Sequence, residues 1–186
     1  MNRSNNTVFV SINTAAMLTG KSTKTIRNWI DSGVIKKRTD DNNSEIDILS
    51  IDEHIPTELT PAFLESVKKS ESGISEETTN IAIAFSISHA DKIAIPWFEL
   101  AAKQGSNDAM FWLWKNYQNG CGVEPDFAVA IQWLGKAAKH GSITAQTTVE
   151  SLKKINDILM ELQKDEYNAT LEEIRRLLKR GDNNQK

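Results

Sequence analysis

The residues best placed to do chemistry lie between Ile12 and Ile35. A helix capped by Ser22 sets Ile26, Trp29 and Ile30 at i, i+3 and i+4 on one side and leaves Thr23, Lys24, Arg27 and Asn28 on the other. Arginine and asparagine pair bidentately with the edges of guanine and adenine, whereas lysine meets phosphate as a point charge. The pattern predicts base-edge or groove contacts from Lys24, Arg27 and Asn28, with Thr23 on the same face, and phosphate contacts from Lys21, Lys36, Lys37 and Arg38. About five phosphate contacts per subunit imply a salt slope of about −4 to −5 for duplex DNA.

The other reactive side chains are scattered. His54, His89 and His140 fall in separate elements without Cys or acidic ligands at metal spacing, so surface or packing roles are expected and no metal is implied. The lone Cys121, between Gly120 and Gly122, lacks an activating His and cannot form an internal disulfide. No phosphate-binding Gly loop, Gly-x-Ser-x-Gly elbow or dinucleotide fingerprint occurs. The expectation is a non-enzyme without a cofactor.

The elements that must position the cationic face follow from its surroundings. Asn13 can cap a short first helix containing Ala15, Ala16, Met17 and Leu18, and Gly20 permits a tight turn into the second helix. Val34 to Arg38 and Ser44 to Ile48 alternate like paired strands around Asp40-Asp41-Asn42-Asn43, and Ser50 with Glu53 forms a capping box for a short helix ended by Pro56. The spacing of Ala16, Gly20, Ser22, Thr25, Ile26, Arg27, Trp29, Gly33, Val34 and Ile35 resembles the MerR and excisionase type of winged helix-turn-helix over about 24 residues. The resemblance implies a recognition helix in the major groove and a two-stranded β wing. This sequence departs from the family on the far strand of the wing, where Glu45 and Asp47 replace the usual basic residues. A docking module that no longer binds DNA is therefore the alternative.

Charge follows the same division. The 186 residues carry a formal charge of only −3, yet through Arg38 seven cations face Asp31 alone, a local charge of +6. From Thr39 to Leu59 there are seven acids and no Lys or Arg. A near-neutral total thus conceals a dipolar N-terminal third.

Beyond the polar stretch Ser70 to Glu77 the pattern is helical and repeats. Helices are predicted from Ser75 to about Ser88, from about Ser106 to Gln118, and from about Phe127 to Lys139. With a shift of 36 residues, nine of the 16 positions from Ala94 to Ala109 are identical to those from Ala130 to Ala145, including Trp97 with Trp133 and Gly105 with Gly141. The unit running through Ala109, Leu113, Tyr117, Gly120, Gly122, Asp126, Ala130, Trp133, Ala137, Ala138, Gly141 and Ala145 resembles the Sel-one-like repeat, an α-solenoid relative of the tetratricopeptide repeats. The resemblance covers about Ile81 to Ile155 and implies a protein-binding scaffold. Pro96 stands where the better copy has Gln132, so the earlier helix is expected to start late or kink. Ala109, Trp112, Leu113 and Tyr117 are expected core, and Phe111, Trp114 and Gln118 the candidate partner contacts, with packing of Trp114 on neighbouring helices as the alternative.

Two further helices are predicted at roughly Ser142 to Lys164 and Leu171 to Arg180, the second opened by Thr170 with Glu173 and closed by Gly181. Leu152, Ile155, Leu159 and Leu162 form a two-heptad stripe, read either as the closing face of the solenoid or as a homodimer interface. No apolar run approaches the roughly 18 residues of a membrane span, and Met1 to Thr7 lacks a signal-peptide core, which gives a cytoplasmic expectation. The fold class expected is mainly α: a winged helix-turn-helix domain over 1–70 with its following helix, then a short α-solenoid with C-terminal capping helices over 71–186. The partners expected are double-stranded DNA and a protein on the solenoid.

Overall fold

The computed structural model describes residues 8–35, 37–40 and 43–183. Strand β1 (Phe9–Ser11) runs directly into helix α1 (Ile12–Thr19). The cap of α1 is Ser11, whose hydroxyl accepts the Thr14 N–H at 3.1 Å, and not the expected Asn13. Strand pairing holds Ser11 in an extended conformation at the helix entrance, which leaves Asn13 inside the first turn. Helix α2 (Thr23–Asp31) is capped by Ser22 as expected, its hydroxyl accepting the Thr25 N–H at 3.1 Å.

Strands β2 (Lys37–Asp40) and β3 (Asn43–Asp47) pair antiparallel, and β1 adds to the other edge of β3, so the sheet has three strands in the order β1-β3-β2 and not two. Val10 opposite Ile46 gives this sheet a buried apolar pair against α1, with Leu18, Ile26, Ile48 and Ile51 completing the core. A 3₁₀ helix (Ile48–His54) follows and ends before Pro56. Its cap is Asp47, whose carboxylate accepts the Leu49 N–H at 3.0 Å, while the expected cap Ser50 donates back to the Asp47 carbonyl at 2.6 Å.

Helix α3 (Pro61–Glu71) starts with Pro at its first position and packs on α4 (Ser75–Ile87) through an edge-to-face contact of Phe63 and Phe85. At the turn joining them Glu77 accepts from Ser66 at 2.7 Å and from Lys69 at 3.1 Å. The Ser66 hydroxyl first, and then Lys69, hold the Glu77 carboxyl below the usual range, and Glu77 in turn raises Lys69. Two hairpins complete the helical stack: α4 with α5 (Asp91–Lys103), and α6 (Asn107–Asn119) with α7 (Phe127–Lys139).

Helices α5 and α7 are offset by 36 residues at both ends, so Pro96 does not delay α5. Pro96 is exposed, and the helical hydrogen bond it deletes lies on the solvent side. In α6 the buried residues are Ala109, Met110, Leu113 and Asn116, whereas Trp112 and Tyr117, expected in the core, are half-buried.

The described chain forms two units, 1–142 and 143–186. The second is a single helix, α8 (Ile143–Asn183), of 41 residues, about 60 Å long at 1.5 Å per residue. The expected break near Lys164 to Thr170 is absent. No Gly or Pro lies there, and the Thr170 hydroxyl, expected to cap a new helix, donates to the Glu166 carbonyl one turn back. Leu152, Ile155, Leu159 and Leu162 are exposed along it.

Two glycines converge on the start of α5. Gly20 (φ +64°) ends α1, and a Cβ there would lie 3.0 Å from the Ile93 side chain. Gly122 (φ +76°), in the loop between α6 and α7, would place a Cβ 2.5 Å from the Asp91 carbonyl. Gly105 has a similarly positive φ of +96° with nothing within 4 Å. Gly122→Ala is expected to lower the thermal midpoint by several degrees more than Gly105→Ala, because it adds overpacking of about 1–3 kcal/mol to the backbone strain that both share. Equal midpoints in a calorimetric comparison would show that the approach to Asp91 is not tight.

Candidate functional site

Helix α2 divides cleanly. Ile26 is fully buried, Trp29 and Ile30 are half-buried, and Lys24, Arg27 and Asn28 are exposed in one stripe with Lys21 ahead of them. Trp29 stacks on the His54 imidazole at 4.3 Å between ring centres, which fastens the helix to the end of the 3₁₀ segment. Lys21, Lys24 and Arg27 have no ion-pair partner among the described residues. Asp31 ends the same stripe one turn later and is exposed. Thr23 departs from the expected face: it is half-buried and lines a cleft between α1 and α5.

On the strands, Lys37 and Arg38 stand opposite Ile46 and Glu45 in the β2–β3 register, while Lys36 lies outside the described residues. Both acids of β3 thus have a local place. Asp47 caps the 3₁₀ helix, and Glu45 stands opposite Arg38 in the backbone register.

On α6, Phe111 and Trp114 are half-buried with ring centres 4.9 Å apart, and Gln118, one turn further, is exposed. The Lys115 ammonium lies 5.5 Å from the Phe111 ring and 5.1 Å from Trp112, which stacks in turn on Phe98. A groove of about 410 Å³ runs between α4 and α6, floored by the 2.9 Å hydrogen bond between the Thr79 and Ser106 hydroxyls and edged by Asn80, Ile83 and Phe111. Phe111 therefore reaches the groove, while Trp114 and Gln118 continue along α6 outside its lining. The α4 side of the groove was not visible in the sequence, because α4 shares few residues with α6 and its packing depends on contacts far apart in the chain.

Cys121 is half-buried in the loop between α6 and α7, and among the described residues no three His, Cys, Asp or Glu side chains converge on a point. No helix of the described residues is long and apolar enough to cross a membrane.

No family model matches the chain, and neither does any curated protein. Over 45% of its length it is similar to the crystal structure of a Sel1 repeat protein from Oxalobacter formigenes, at 30% sequence identity and a TM-score of 0.44. It is similar over 45% also to c5321, a protective antigen of uropathogenic Escherichia coli strains displaying an SLR fold, at 24% identity and a TM-score of 0.42. The chain spans only 25% and 19% of those two proteins.

The division of α2 has a measurable consequence. Ile26→Ala is expected to destabilise the N-terminal module by about 2–4 kcal/mol through cavity formation. The double variant Lys24→Ala, Arg27→Ala is expected to melt within about 0.5 kcal/mol of the parent. A large loss of stability in the double variant would show that these cations hold the fold together.

Proposed function

We propose that the chain is a DNA-binding transcription regulator of the cytoplasm: a winged helix-turn-helix of the MerR and excisionase kind, carried on a short Sel-like solenoid that binds a protein partner. The observation that carries the DNA reading is the exposed row of Lys21, Lys24, Arg27 and Asn28 on and before α2, whose cations have no ion-pair partner among the described residues, backed by the buried Ile26. Helix α2 enters the major groove, Arg27 and Asn28 reach base edges, and Lys36, Lys37 and Arg38 meet phosphates. The Asp47 carboxylate is engaged locally by the Leu49 N–H at the start of the 3₁₀ helix. The solenoid reading rests on the residues that α5 and α7 share at a shift of 36 positions and on the stacked hairpins. Partner binding on α6 reaches the DNA module through the α6–α7 loop and the first turn of α5, against which Gly122 and Gly20 both pack.

Two copies join through α8. Its exposed stripe of Leu152, Ile155, Leu159 and Leu162 resumes one residue out of phase at Tyr167, Leu171 and Ile174, which gives a long apolar face for a second helix.

Fluorescence anisotropy with labelled duplex DNA between about 50 and 200 mM salt tests the DNA reading. Binding is expected to fall with a log–log slope of about −4 to −5 per chain, with two chains per duplex at saturation, and to be lost in the Lys24→Ala, Arg27→Ala variant. Absence of salt-dependent binding at low salt sinks it and leaves a protein–protein adaptor, in which the basic face of α2 meets an acidic partner.

On the solenoid, Phe111, Trp114 and Gln118 form the partner surface, with the aromatic pair as its anchor. Trp114→Ala is expected to weaken capture of the partner at least tenfold while the melting curve is kept. A folded Trp114→Ala protein that retains every partner would remove this assignment.

A further inference from the structure

The cleft that takes up Thr23 joins the DNA module to the helical stack. It has a volume of about 580 Å³, an apolar floor of Met17, Ile93 and Pro96, and Lys21 and Lys92 among the residues that line it. Lys92 belongs to α5, in the repeat segment, and is exposed with no ion-pair partner among the described residues. Its place is held by the approach of Gly20 to Ile93, which brings the turn before α2 and the first turn of α5 into contact.

Comparison of the two repeat copies sharpens the point. Ala94, Ile95, Trp97 and Ala101 to Lys103 are identical to their counterparts 36 residues later, whereas Lys92, Ile93 and Pro96 stand where the second copy has Ala128, Val129 and Gln132. These three, among the seven positions at which α5 differs from α7, are the α5 residues that line the cleft. Each α5 residue that lines the cleft thus differs from its counterpart in α7, and at one of them a lysine stands where α7 has Ala128.

Lys21, Lys24 and Arg27 succeed one another at three-residue spacing along α2 and its entrance, and Lys92 adds to the row at the end where the N-terminus of α2 carries partial positive charge. The nearest acid in sequence is Asp91, half-buried at the first turn of α5, where the helix terminus offsets its charge.

We infer that Lys92 is a DNA-backbone contact contributed by the solenoid, so that the phosphate-binding surface spans the α1–α2 turn and the start of α5. The inference rests on the DNA reading above. Its ligand is the sugar-phosphate strand beside the groove that α2 enters.

The test compares wild type, Lys92→Ala, Lys92→Glu and Lys103→Ala by duplex anisotropy across the same salt range. Lys103 is an exposed cation at the far end of α5 and serves as the control. Lys92→Ala is expected to weaken binding about 5- to 10-fold near 0.1 M salt and to make the slope shallower by about one, Lys92→Glu to weaken it further, and Lys103→Ala to do neither. Wild-type binding that stays equally steep and equally tight in Lys92→Ala and Lys103→Ala overturns the inference while leaving the DNA reading intact. Failure of every protein to bind overturns both.

Discussion

The first turn of α5 is the point on which the architecture of residues 1–142 depends. Gly20 approaches it from the N-terminal module and Gly122 from the loop of the next hairpin, and neither approach leaves ordinary room for a Cβ. Both glycines are also in the left-handed region, so chain reversal and close approach are met by one residue type at each place. An interface of this kind transmits displacement, because packed backbone and side-chain atoms have no slack to absorb it.

That geometry also explains how opposite charges coexist in the N-terminal third. The acids that cancel the +6 of the first 38 residues begin at Asp40, the last residue of β2, and two of them, Glu45 and Asp47, lie on β3. Asp47 is held by the Leu49 N–H, and Glu45 lies in the middle strand of the sheet, with Ser11 opposite it on one side and Arg38 on the other. The cations of α2 have no ion-pair partner among the described residues. A helix whose buried side is anchored by Ile26 and by the Trp29–His54 stack can present unpaired charge outward at little cost to stability, since exposed ion pairs contribute only about 0–1 kcal/mol.

Local periodicity made some of this legible in the sequence. The bounds of α7, the Ser22 cap and, apart from Thr23, the two sides of α2 follow from patterns within one or two turns, and the structure has them where the residues place them. Contacts between distant segments were not legible. Lys92 reads as an ordinary surface lysine until Gly20 is packed on Ile93, and the third strand cannot be foreseen from Phe9 to Ser11, a segment too short to show alternation. The break expected in α8 fails for a different reason. Thr170 and Glu173 fit a capping box equally well whether or not the chain leaves the helix, and without Gly or Pro nearby nothing makes it leave.

Two helical hairpins are a short solenoid, and repeat stacks need each unit's apolar face covered by a neighbour or a cap. Here the open side of the α4–α5 hairpin is covered by α3, through Phe63 on Phe85 and the buried Ser70–Thr78 hydrogen bond, and by α1 against the start of α5. The links from Ser11 to Glu71 and from Thr57 to Ser88 tie the same surfaces. The N-terminal module is thus the cap of the stack as well as the bearer of the cationic helix. Capping alone accounts for the buried side of the module and for Gly20, and it would keep both in an adaptor that never meets DNA. It does not account for Lys21, Lys24, Arg27 and Lys92, which are exposed, without an ion-pair partner among the described residues, and irrelevant to covering an apolar face. The weight of the DNA reading therefore falls on those four cations and not on the helix-turn-helix geometry, which the solenoid would require in either case.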